Sequence, residues 1–168
     1  MKPLEISETK EIETFSFGDI TREELIEMFC DGRTSSPFME IQLTKWFPEL
    51  QRVGGDSKFY DMIDANGNCY EVKGLTRNGC DVAPSSTKGV GRKRNGITEI
   101  QEGIEKHNTT FIITDIQEFP KIYVKTISGE DLLKKFPNGK ISAVKGRNLL
   151  LEDLLCSKVI LWEQYDPR

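Results

Sequence analysis

The sequence is poor in the soft metal ligands. It has one histidine, His107, and four cysteines, Cys30, Cys69, Cys80 and Cys156, none of them in a CxxC pair. A structural zinc site takes four such ligands at short spacing, so zinc is excluded as an organising element. The cysteines read as reduced, partly buried thiols in a cytoplasmic protein, and at this size no disulfide framework is needed. Long apolar runs are also missing. No stretch approaches the roughly 20 residues that span a bilayer, and MKPLEISETKEIE lacks the apolar core of a signal peptide. A soluble protein with no membrane partner is expected. A basic excess is absent as well: 23 Lys and Arg face 27 Asp and Glu, a net charge of −4. That excludes a uniformly basic coat for nucleic acid but leaves room for a local basic groove. There is no repeat and no low-complexity linker. The 168 residues, 37% apolar, suit one domain with a packed core.

Charge is unevenly spread. The first 40 residues carry four Lys or Arg against ten Asp or Glu. Thr21-x-x-Glu24 is a capping box, with Leu25, Met28 and Phe29 on one helical face and Cys30-Asp31-Gly32 as the stop. Ser36-Pro37 then starts a second helix carrying Phe38, Ile41 and Trp46, which Pro48 closes. The period changes next. Residues 58–63 and 69–73 read as strands joined by Ala65-Asn66-Gly67. Residues 74–96 are polar, glycine-rich and basic. A short helix with Ile97, Ile100, Ile104 and His107 on one stripe follows, then strands over 109–116 and 121–127, and a helix capped by Ser128-x-x-Asp131. The expected fold is mixed α/β: a central mixed β-sheet flanked by helices.

Three residues carry the chemistry: Asp61, Glu71 and Lys73. Two adjacent carboxylates suit a hard divalent cation such as Mg²⁺, which prefers oxygen ligands and retains several waters. A lysine beside them can orient or deprotonate a water, or stabilise a developing anion. Hairpin register decides whether they meet. With a three-residue turn, Asp64 pairs with Asn68, Asp61 stands opposite Glu71, and Glu71 and Lys73 share a face. Opposed residues have Cβ atoms about 4.5–5.5 Å apart, close enough to share one ion. A two-residue Asn66-Gly67 turn would instead move Asp61 to the other face; the longer turn, or a local bulge with the same result, is expected. The bland alternative is a solvated strand face with cross-strand ion pairs. The acid-x-Lys pattern alone is weak, since Glu8-Thr9-Lys10 and Asp56-Ser57-Lys58 also show it, but neither lies on the second strand of such a hairpin.

The segment Asp61-Met-Ile-Asp-Ala-Asn-Gly-Asn-Cys-Tyr-Glu71-Val-Lys73 resembles the PD-(D/E)XK nuclease superfamily, and in particular its small type II restriction endonucleases. The similarity extends from Phe29-Cys-Asp31 through Ser86-Thr-Lys-Gly89 to residues 111–116 and weakens at both ends. It implies a restriction-endonuclease-like core and Mg²⁺-dependent, sequence-specific hydrolysis of double-stranded DNA, leaving 5′-phosphate ends. By the same resemblance Asp61, Glu71 and the Val72 carbonyl would hold the metal, Lys73 would position the attacking water, and Asp31 would lie near the DNA. Two departures stand out. His107 falls near a position where the family has a tyrosine, and no glutamate precedes the first catalytic acid.

From Lys73 to Asn95 six Lys or Arg face one Asp. Ser85, Ser86, Thr87, Lys88, Arg92, Lys93, Arg94 and Asn95 are candidates for contacts to DNA phosphates or base edges; the alternative is a solvated surface loop. Glu40 is a candidate accessory acid or a favourable charge at a helix start. His107 is a candidate accessory group or a core histidine. The chain is thus expected to be one endonuclease domain over 1–168. Within it, 1–50 hold N-terminal helices suited to a homodimer interface, 51–127 the catalytic core, 74–96 the DNA-contact loop, and 128–168 the C-terminal part. A two-fold dimer would match a palindromic site. Two competing functions remain: a structure-selective or repair nuclease on the same core, and a non-catalytic DNA-binding module.

Overall fold

The structure, a computed structural model, describes residues 1–54, 57, 59–84 and 96–149. In chain order the elements are β1 (Ser7–Glu11), α1 (Arg22–Phe29), α2 (Gly32–Trp46), β2 (Leu50–Arg52), β3 (Met62–Asp64), β4 (Cys69–Leu75), β5 (Cys80–Asp81), α3 (Gly96–His107), β6 (Thr110–Asp115), β7 (Lys121–Ser128), α4 (Gly129–Lys135) and β8 (Lys140–Ile141). A further helix, α5, covers 143–149. Among the described residues six strands form one sheet in the order β1-β7-β6-β4-β3-β2, and β5 pairs with β8 in a separate ribbon. The β4–β6 pair is parallel and the other pairs are antiparallel, so the sheet is mixed as expected. No helix among the described residues is long and apolar enough to cross a membrane.

Both faces of the sheet are covered, and β6 shows why. All six of its residues are buried, as a central strand sandwiched between two layers requires. Its side chains alternate: Ile112 joins a cluster with Met39 and Leu43 of α2, while Phe111 and Ile113 join one with Ile100 of α3 and Leu132 of α4. The alternation continues on β4. Tyr70 and Val72 belong to the α2-side cluster, so Glu71 and Lys73 share the opposite face with Leu75. In the parallel register Glu71 lies beside Phe111 and Lys73 beside Ile113. The two charged side chains therefore rest on apolar neighbours.

The caps of α1 and α4 follow the sequence. Thr21 Oγ1 accepts from the Glu24 N–H, and Glu24 returns a bond to the Thr21 N–H, completing the capping box. Ser128 Oγ accepts from the Asp131 N–H. Three expectations are corrected. First, α2 begins at Gly32, not at Ser36-Pro37: the Asp31 carbonyl accepts from the Thr34 and Ser35 N–H groups and starts the helix one turn earlier. Second, this register turns Ile41 outward and buries Met39 and Leu43, while Phe38 and Trp46 pack at the edge of the core. Third, β3 begins at Met62 and not at residue 58, because Ser57 Oγ accepts from the N–H groups of Phe59 and Tyr60 and turns the chain before Asp61. Residue 58 itself lies outside the described residues.

Candidate active site

The β3–β4 hairpin builds the site, and its register is the one the three-residue turn requires. Ile63 pairs with Cys69 and Met62 with Tyr70. Gly67 has φ +81°, the left-handed conformation that closes such a loop at little cost for glycine. A residue that sequence reasoning passed over holds the turn. Asp64 accepts from the Asn66 and Asn68 N–H groups at 2.9 and 3.0 Å, and from Asn68 Nδ2 and the Tyr70 hydroxyl at 2.8 Å each. Burial alone would raise its pKa, but these hydrogen bonds overcome burial and hold the carboxyl below its ordinary value. The Tyr70 oxygen in turn accepts from the Leu4 N–H, tying the hairpin to the N-terminal segment. The signal in the sequence was Asp-Ala-Asn-Gly-Asn, an aspartate with two donors ahead of it.

The regular register ends at Met62–Tyr70: the Asp61 N–H donates to the Tyr70 carbonyl at 2.8 Å, an offset of one residue, as at a bulge, that still leaves Asp61 beside β4. The ladder stops there because the Asp61 side chain takes the place of a strand carbonyl: its Oδ2 accepts from the Val72 N–H at 2.8 Å. The Val72 N–H therefore points to the β3 side, and in an extended strand a residue's N–H and C=O point the same way. The Val72 carbonyl thus lies on the β3 side of the strand, and Val72 lines the cleft. Lys73 Nζ lies 2.7 Å from Glu71 Oε1, with the two side chains only 16% and 14% exposed.

Electrostatics set the protonation states. Burial on the apolar bed pushes Glu71 up; Lys73 opposes that push, the Asp61 charge adds to it, and the net position is about 7. For Lys73 burial works against the ammonium, but the Glu71 carboxylate outweighs it, with Asp61 contributing, and the pKa ends above its ordinary value. Lys73 is therefore a cation at neutral pH. Of the two roles open in the sequence, it is suited to donating a hydrogen bond and not to taking a proton.

These groups line an open cleft of about 740 Å³, together with Asp31, Glu40 and Asp81. Glu40 sits in the middle of α2, beyond the reach of the helix N-terminus, which corrects its expected place at the helix start. Its Oε2 accepts from Arg52 Nε at 3.2 Å and Nη2 at 2.9 Å. His107 ends α3 and is not among the residues that line the cleft. Its ring packs on Phe59 and Tyr60, centroids 5.6 and 5.2 Å away, and so braces the segment that leads into Asp61. Sequence reasoning also missed Glu99. This buried α3 residue lines with Glu71 a space of about 10 Å³, roughly the smallest that holds one water. Ser85, Ser86, Thr87, Lys88, Arg92, Lys93, Arg94 and Asn95 lie outside the described residues, as does Cys156. Cys30, Cys69 and Cys80 are free thiols.

The donor set suits one kind of metal. Among the described residues no three His, Cys, Asp or Glu side chains gather into a metal-binding group. Asp61 and Glu71 supply two carboxylates near the Val72 backbone at an open cleft. Mg²⁺ accepts such a sparse all-oxygen set because it keeps several waters; a structural zinc ion does not. No family model, curated protein or solved structure matches the chain.

Proposed function

We propose that this protein is a Mg²⁺-dependent endonuclease of the PD-(D/E)XK superfamily that cuts double-stranded DNA at specific sequences, as type II restriction enzymes do. One observation carries the reading: the hairpin brings Asp61, Glu71 and a cationic Lys73 together at the wall of an open cleft. The mixed sheet with helices on both faces is compatible with a restriction-endonuclease-like core. A homodimer, each subunit cutting one strand, is part of the proposal, with the acidic N-terminal region as its interface.

Asp61 and Glu71, with the Val72 carbonyl, would hold the ion. Mg²⁺ supplies Lewis-acid stabilisation of phosphate charge and a lowered pKa for water. Lys73 donates a hydrogen bond that orients the attacking water and faces the charge that develops on the phosphate. Water oxygen bonds to phosphorus as the bond to the 3′-oxygen breaks; the water gives a proton to solvent and the 3′-oxygen takes one from solvent, leaving a 5′-phosphate and a 3′-hydroxyl. General acid–base help is worth roughly 10²–10⁴-fold, against accelerations of up to about 10¹⁷-fold for very slow reactions, so the electrostatic field of the site must supply most of the effect. The test is incubation of supercoiled plasmid with Mg²⁺, beside an EDTA control and Lys73→Ala. Linear or nicked product lost in both controls supports the reading; plasmid that stays intact with wild-type protein overturns it.

A further inference from the structure

Beyond the catalytic cleft, the turn that joins β4 to β5 has features of a base-reading element. Thr76 and Gly79 exchange backbone hydrogen bonds of 3.2 and 2.9 Å, and Thr76 Oγ1 accepts from the Asn78 N–H. The turn is wedged from both sides. Gly79 has φ +89°, and a Cβ there would lie 2.4 Å from the Ile141 carbonyl oxygen; a Cβ on Gly32 would lie 3.2 Å from Thr76 Cγ2. This rigid mount holds out two exposed side chains, Arg77 and Asn78. They border a groove of about 690 Å³ that shares Asp31 and Gly32 with the catalytic cleft, so the two run into one another.

We propose that Arg77 and Asn78 read base edges of the duplex whose backbone occupies the catalytic cleft; this rests on the nuclease reading above. The charge of the groove argues for bases over phosphates. Glu23, Glu27 and Asp31 line it beside the one arginine. A phosphate would meet three carboxylates for one guanidinium. Base edges present both amino donors, which carboxylates accept, and ring and carbonyl acceptors, which arginine and asparagine satisfy. Arg77 forms no ion pair with the described residues, and so keeps its donors for a ligand. Reach fits as well. Arg77 follows Lys73 by four residues, two of them in β4 and the rest in the turn, so it lies at most about 14 Å away, within about four base-pair steps. Preorganisation matters for such contacts, because a wedged turn loses little freedom on binding.

The experiment compares wild type, Arg77→Ala and Asn78→Ala on the wild-type cleavage site and on sites altered at one base pair, over a range of salt. Arg77→Ala is expected to lower discrimination at a single base pair about tenfold to hundredfold, with the salt dependence of DNA affinity unchanged. A salt slope reduced by about 1 with discrimination intact would make Arg77 a phosphate contact and overturn the proposal. Unchanged discrimination and unchanged slope would also overturn it, while leaving the nuclease reading standing. A wild-type protein that cuts no duplex overturns both.

Discussion

Asp64→Ala should cost the protein more stability than any other single change in the hairpin. The side chain is 7% exposed and accepts four hydrogen bonds, from two backbone N–H groups, Asn68 Nδ2 and the fully buried Tyr70 hydroxyl. Bonds to a charged acceptor are worth about 1.5–3 kcal/mol each, but they are not additive, and water can replace the partners at the exposed tip. The Tyr70 hydroxyl has no such access. Counting its desolvation in full and the other three at a fraction gives about 3–4 kcal/mol. For a chain of this length that corresponds to a fall in Tm of about 6–16 °C, readable by circular dichroism. Asp64→Asn keeps one carbonyl oxygen and should lose about half as much. The pH dependence has a definite sign. Because the folded pKa lies below the ordinary 3.8, the Asp64 contribution is complete above that value and disappears as pH falls through the folded pKa. The Tm gap between wild type and Asp64→Ala should be constant at neutral pH and close in acid. A gap under about 2 °C at pH 7, or one that widens in acid, would refute the role given to this carboxylate.

Other outcomes follow from the same geometry. Asp61→Asn keeps an acceptor for the Val72 N–H, so it should fold with nearly wild-type Tm yet bind Mg²⁺ at least tenfold more weakly by calorimetry, an estimate from the roughly tenfold change that 1.4 kcal/mol produces. Glu71 is raised to about 7 against an ordinary 4.5, so it carries part of a proton at neutral pH. Mg²⁺ binding should therefore release protons near pH 7 and almost none at pH 9, measurable as a buffer-dependent binding enthalpy. Arg147 Nε donates to the Asp115 carboxylate at 3.0 Å and Nη1 to Glu118 at 2.7 Å. Arg147→Ala leaves the buried Asp115 with the Gln117 N–H but no cation and should cost about 2–4 kcal/mol in denaturant unfolding, less than a fully buried pair because the arginine is partly exposed.

What could be read from the chain, and what could not, divides along physical lines. Local chemistry was legible. The Thr21 capping box, the Ser128 cap, the Gly67 turn and the two-residue spacing of Glu71 and Lys73 depend only on neighbours in sequence, and each stands where it was expected. Long-range determinants were not. β1 is a charged pentapeptide with no strand signal of its own; it pairs because β7 offers an open edge. The start of α2 depended on a backbone carbonyl at Asp31 and not on the more conspicuous Ser36-Pro37. Glu40 was named from the sequence, but as a charge at a helix start; its place on the cleft wall comes from the packing of α2 on the sheet, and Glu99 meets Glu71 only through the packing of α3, which spacing could not show. His107 lay on the expected stripe, but its contacts, Phe59 and Tyr60, come from a segment that had been assigned to a strand.

On the proposed reading, the Asp61–Glu71–Lys73 site cuts DNA at defined sequences. Mapping the ends formed on an unmethylated phage genome in Mg²⁺ tests it most directly. Wild-type protein should give fragments that all end at one short sequence with 5′-phosphates, and Lys73→Ala none. Ends scattered without a common sequence would contradict the specificity, and a genome left whole by the wild-type protein would contradict the chemistry.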